Sequence, residues 1–177
     1  MPGPVFLEGA DVELRTVELE DTSFLQELIN DPAVRARLHS SRPISTHQEH
    51  NWIESIGEDG DVRLLVCDDD EPVGIVSLEP PDDVWGRAEI AYMIAPEAWG
   101  NGYATDAVDA LCRYAFTERR LNKLYASVYA TNDASTRVLE KVGFQKEGTL
   151  RREAFLEGEY VDVHRYGLLA AEWLDGQ

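Results

Sequence analysis

An α+β fold, one mixed sheet carrying about four helices in a single domain over residues 1–177, is what three observations predict. A length of 177 residues with 44% hydrophobic composition is enough for one core and too little for two. Strand-like and helix-like segments are mixed in the first half, and they alternate as strand and helix only in the second. No repeat, low-complexity tract or linker interrupts the chain.

The elements follow in order. "DVELRTV" alternates and predicts a strand, after which "DTSFLQELIND" places Phe24, Leu25, Leu28 and Ile29 on one helical face behind an Asp/Thr cap. "STHQEHNWIESI" opens a second helix with capping-box spacing between Ser45 and Gln48, and Trp52, Ile53 and Ile56 form its apolar side. "DVRLLVC", "EPVGIVSLE" and "GRAEIAYMI" are three strands separated by acidic or Pro/Gly turns, an antiparallel meander. Residues 103–117 form a third helix with Ala104, Ala107, Val108, Leu111, Cys112 and Ala115 along one face. "NKLYASVYA" is a strand, and "NDASTRVLEKVGF" a helix whose Ala134, Val138 and Val142 face inward. Gly143 stands where a left-handed cap would close that helix, with Phe144 packing behind it. "FQKEGTL" and "EYVDVHRYGLL" close the chain as strands.

The formal charge of −18, from 34 acids against 16 bases, speaks against a nucleic-acid partner, which needs a basic face. The bases are 13 arginines and only three lysines, a pattern like that of proteins from salt-loving organisms; a field steering cationic substrates is the other reading. No apolar run spans a membrane and the N-terminus has no secretory pattern, so a cytoplasmic protein without membrane association is expected. Cys67 and Cys112 read as small core residues. His39, His47, His50 and His164 make no metal pattern, and no metal is expected.

The sharpest local signal is "MIAPEAWGNGYATDAVDALCRYAF", in which Gly100, Gly102 and Ala104 occupy alternate positions between an apolar strand and a long helix. Small residues at that spacing expose backbone N–H groups at the positive end of a helix, which describes an anion site for a phosphate or diphosphate. A tight turn needing glycine for conformation alone is the plainer reading. A Rossmann fingerprint would want a small residue where Thr105 stands, and a Walker loop would want Gly-Lys-Ser/Thr; neither is present.

"IAPEAWGNGYATDAV", followed after a strand by "ATNDASTRVLEKVGF", resembles the GNAT superfamily of N-acetyltransferases, specifically its RimJ/RimL-like branch of ribosomal-protein N-terminal acetyltransferases. The resemblance runs through nearly the whole chain. It implies a mostly antiparallel sheet splayed at the cofactor site, with Gly100, Asn101, Gly102, Tyr103, Ala104 and Thr105 cradling the diphosphate of acetyl-CoA. Trp99 departs from the superfamily's Arg/Gln at the loop's first position and matches the branch. By the same resemblance the strand ending at Ile94 lies along the pantetheine, with free N–H groups to polarise the thioester carbonyl. Asn132 matches a pantetheine-contacting asparagine, a helix cap being its alternative role. Ser135 falls within reach of the leaving thiolate, and Leu139 stands where many relatives carry a tyrosine acid, so that Ser135 or water must protonate the sulfur.

Acetyl transfer needs a neutral amine and a polarised carbonyl, since a thiolate leaves readily. Glu89, flanked by apolar residues whose burial would raise a carboxyl's pKa, is the first candidate for the base; an outward-facing strand glutamate is the alternative. Glu153 is a second, weaker candidate, because the position matching an acid of some relatives is Ala154 and adjacent strand residues point to opposite faces. Trp52, Trp85 and Tyr92 line an acceptor slot or belong to the core. The expected acceptor is a protein N-terminal α-amine. A small-molecule amine (polyamine, amino sugar or antibiotic) and a non-catalytic acyl-CoA sensor are the rivals, and a homodimer stays open.

Overall fold

A computed structural model describes residues 2–38 and 42–176. The strands are β1 (Val5–Glu8), β2 (Glu13–Thr16), β3 (Val62–Asp68), β4 (Glu71–Leu78), β5 (Arg87–Ile94), β6 (Lys123–Tyr129), β7 (Gln145–Leu156) and β8 (Glu159–Leu169). The helices are α1 (Thr22–Asn30), α2 (Pro32–Arg35), α3 (Thr46–Glu54), α4 (Tyr103–Thr117), α5 (Asp133–Val142) and α6 (Ala170–Asp175). Six helices thus replace the four expected among the described residues. The two additions, α2 and α6, have four and six residues, too few for a 3.6-residue period to register.

The strands form one sheet in the order β1-β2-β3-β4-β5-β6-β8-β7. Every neighbouring pair is antiparallel except β5 and β6, which run parallel because α4 crosses over between them. Alternation along β3 and β4 sorts side chains to two cores. Leu64, Val66, Val76 and Leu78 pack with Val108 and Leu111 of α4, whereas Leu65, Cys67 and Ile75 pack with Leu25, Leu28, Val34 and Ile53. The sheet therefore carries α4 on one face and α1 to α3 on the other.

The caps of α3 and α5 follow the sequence, whereas the Asp/Thr cap expected for α1 does not form: Asp21 stands at that position, but its carboxylate turns back to accept the Glu18 N–H at 2.9 Å. Ser45 and Gln48 form the capping box of α3, and Gly143 (φ +110°) closes α5 with the Phe144 N–H donating to the Leu139 carbonyl at 2.9 Å. The buried residue of α5 is Leu139, flanked by the partly buried Val138 and Val142; Ala134, expected to face inward, is exposed. Its turn of helix overlies the opening in the sheet described below, where no core exists to cover it. Cys67 and Cys112 are fully buried, and burial pushes the Cys67 thiol up to about 12.

Candidate active site

The β5–β6 ladder lasts only three residue pairs, Arg87 with Lys123, Ala88 with Leu124 and Glu89 with Tyr125. Beyond Glu89 the two strands diverge while β5 stays paired to β4 as far as Ile94. The Glu89 carbonyl and the Ala95 N–H bond to Glu79 and Val73 on the β4 side, so alternation turns the main-chain groups of Tyr92 and Ile94 toward the gap. A cleft of about 870 Å³ occupies this opening and reaches the start of α4.

Gly100 and Gly102 adopt left-handed φ of +84° and +85°, and a Cβ at either would meet no atom within 4 Å. The space above them is open and the conformation is one that L side chains resist, so the glycines serve backbone geometry and access at once. Gly102 caps α4 without any side-chain hydrogen bond, leaving the first N–H groups of a 15-residue helix directed outward. The one acid of that first turn, Asp106, is turned away and accepts the N–H groups of Ala10, Asp11 and Val12 at 2.7–2.9 Å. This corner fits the diphosphate of a coenzyme A thioester. Gly100, Gly102, Tyr103 and Ala104 line the cleft, whereas Asn101 bonds its side chain back to the Ala98 carbonyl and Thr105 lies off the lining. Trp99 donates its indole N–H to the Ile94 carbonyl at 2.7 Å, and the Arg37 guanidinium stacks on its ring at 4.3 Å.

Glu89 sits at the apex of the split and is half-buried, accepting the Ser127 hydroxyl of β6 at 2.9 Å. It faces the cleft. On the strand's other face, Tyr92 reaches across to α5, with its hydroxyl 2.6 Å from Ser135 Oγ and 3.2 Å from the Ser135 carbonyl. Burial lifts the Tyr92 hydroxyl to about 12, the bond to Ser135 opposing the rise. Asn132 accepts the Ser135 N–H at 3.2 Å as the cap of α5, the alternative role read for it, and also lines the cleft.

Two expectations need correction. Glu153 and Ala154 both line the cleft, because β7 is irregular between Leu150 and Ala154 and Arg152 takes φ +52°, which breaks the alternation that would have turned Glu153 away. Trp52 and Trp85 do not line it. The first lies under Arg63 and the second is exposed beside Arg87, each in a cation–π contact. The Tyr92–Ser135 contact was hidden from the sequence, since 43 positions separate the partners and no spacing rule joins them. His47 and His50 lie on α3 with Asn51 and Glu54 as neighbours, and no metal-holding group occurs among the described residues; His39 lies outside them. No helix among the described residues is long and apolar enough to cross a membrane.

Comparison with known proteins gives the same architecture. The family model of the acetyltransferase (GNAT) domain matches residues 11–145. Spermidine N(1)-acetyltransferase of Escherichia coli (strain K12) is 32% identical over 92% of this chain and 88% of its own. YdaF of Bacillus subtilis (strain 168), which bears a provisional ribosomal N-acetyltransferase name, is 31% identical over 92% of this chain and 93% of its own. The crystal structure of Vibrio cholerae spermidine N-acetyltransferase in complex with CoA and spermine superposes with a TM-score of 0.87 at 29% identity, covering 93% of this chain and 99% of that one.

Proposed function

The chain belongs to the GNAT family of acetyl-CoA-dependent N-acetyltransferases, and from that premise we propose that its acceptor is a small cationic primary amine of the polyamine class. The observation that carries this reading is that Glu89 and Glu153 line the cleft of the split strand with no arginine among the described residues paired to either, whereas the third glutamate of the lining, Glu79, is held by Arg63 and its two arginines, Arg37 and Arg165, are stacked on Trp99 and Tyr125. A flexible polycation matches two carboxylates better than an amino sugar or a neutral ligand does. The names of two of the relatives point the same way.

Acetyl-CoA supplies an acyl group already activated as a thioester. Around it this chain divides the work by face. The α4 N-terminus holds the diphosphate, and the Tyr92 and Ile94 N–H groups facing the gap polarise the acyl carbonyl. Glu89, on the face of β5 shared with α1 to α3, takes the amine proton directly or through water. Ser135, on the opposite face, gives a hydrogen bond to the departing sulfur. Attack and departure then proceed from opposite sides of one strand.

A protein N-terminal α-amine is a second reading, favoured by the sparseness of the base. An α-amine with pKa about 7.7–8.0 is cheaper to present neutral at pH 7 than an alkylamine near 10.4, by roughly 3.5 kcal/mol. The provisional ribosomal name of one relative accords with it. Thiol release from acetyl-CoA decides between them, using spermidine, a peptide with a free N-terminus, and the same peptide blocked there and offering only lysine. The fastest turnover is expected with spermidine. Preference for the free N-terminus would replace the polyamine assignment, and no acceleration over hydrolysis by any amine would overturn both.

A further inference from the structure

Ser135 has one hydroxyl proton and more than one place to put it. A serine in the first turn of a helix ordinarily turns its hydroxyl to nearby main-chain groups, which would aim the proton away from a ligand. Here a second hydroxyl intervenes. Tyr92, on β5, lies 2.6 Å from Ser135 Oγ, and both side chains line the cleft beside the gap. Leu139, one turn further along α5, is fully buried and offers no donor.

We propose that Tyr92 is a positioning residue: by donating its hydroxyl proton to Ser135 Oγ it fixes the serine's own proton on the sulfur leaving acetyl-CoA. The inference rests on the acetyl-transfer reading above, though on neither choice of acceptor. Three features make Tyr92 suited to the task. It approaches from a different element, so its hydroxyl is not tied to the conformation of α5. Burial holds it protonated well above the working pH, which keeps it a donor throughout. Its ring packs against the main core, which holds the hydroxyl in place.

In the step itself the amine nitrogen forms the C–N bond, the C–S bond breaks, and the electron pair goes to sulfur. Ser135 donates its proton to that sulfur as a hydrogen bond or in full. The amine's surplus proton passes to Glu89 and from it to water, and where Ser135 has given its proton in full, water returns one to the serine, so that no charge is left over. Tyr92 ends the step as it began. The geometry allows one competing arrangement, in which Tyr92 donates to the Ser135 carbonyl at 3.2 Å and the serine spends its proton on the tyrosine. The two arrangements predict opposite consequences for removing the tyrosine hydroxyl.

The test is a double-mutant cycle on single-turnover acetyl transfer with Tyr92→Phe, Ser135→Ala and the double variant, together with acetyl-CoA affinity by calorimetry. Each single change is expected to lower the rate about tenfold with affinity unchanged, and the double variant to be no slower than the slower single one. A Tyr92→Phe rate equal to or above wild type would establish the competing arrangement and overturn the proposal. So would losses that multiply to about a hundredfold in the double variant, which would mark two independent roles. Slow hydrolysis of acetyl-CoA without amine reads the same departure of sulfur whatever the acceptor. A wrong acceptor assignment therefore leaves the hydrolysis cycle intact, while a wrong role for Tyr92 shows in it.

Discussion

At the scale of single residues the site depends on where one carboxylate stands. Glu89 is the last residue of β5 to be paired with β6, and one position further along the strand the sheet has already opened. That placement gives the carboxylate the Ser127 hydroxyl on one side and the cleft on the other. Glu89→Gln keeps the shape and the ability to accept the Ser127 hydrogen bond but removes the base. The rate of acetyl transfer is expected to fall by about 10²-fold at neutral pH, with acetyl-CoA affinity unaltered. The loss should shrink as pH rises toward the acceptor's own pKa, because a free amine no longer needs its proton removed. A pH-rate profile of the variant running parallel to wild type would assign Glu89 a structural part instead.

At the scale of elements the corner before α4 is anchored from an unexpected direction. Asp106, in the first turn of the helix, accepts three main-chain N–H groups from residues 10–12, the turn joining β1 to β2. A carboxylate is favourable near a helix N-terminus in any case, and here it also fastens the sheet's first hairpin to the helix. Asp106→Ala removes three charge-assisted hydrogen bonds, of which the one from the Val12 N–H is partly buried, and is expected to cost about 1.5–3 kcal/mol in stability by chemical denaturation, with little change in acetyl-CoA affinity once folded. A drop in affinity larger than the drop in stability would mean that Asp106 orients the diphosphate loop itself. Nothing in the sequence marked Asp106, because its partners lie 94–96 positions away. What was legible at this scale was local: the capping box of α3, the glycine closing α5, the α4 stripe and the small residues before it all follow from neighbours a few positions apart. What was not legible came from irregularity or distance. The distorted segment of β7 that turns Glu153 into the cleft belongs to the first kind, and the meeting of Tyr92 with Ser135 to the second.

For the whole molecule the governing quantity is the formal charge of −18. Of the acids only Asp21 and Glu49 are buried among the described residues, and burial raises the pKa of each. The remainder are at least partly exposed to solvent, so like charges repel across a small domain. Two effects of salt can relieve that repulsion, and they differ in range. Simple screening acts early, since the Debye length shrinks from about 30 Å at 0.01 M to about 8 Å at 0.15 M, already shorter than the domain is wide. A surface adapted to concentrated salt gains further as cations accumulate among the carboxylates, a gain that continues to molar concentration. The thermal midpoint is therefore expected to rise steeply in potassium chloride up to about 0.15 M and to keep rising toward molar salt. A plateau after the first rise would leave only screening and would favour the other reading of the acidity, a field that draws in a polycation. That reading carries its own signature, because steering fails once the screening length approaches about 3 Å at 1 M. The KM for spermidine would then climb with salt while the KM for acetyl-CoA did not. A flat or falling thermal midpoint over the whole range would contradict both, and would show that repulsion among the acids contributes little to the stability of the fold.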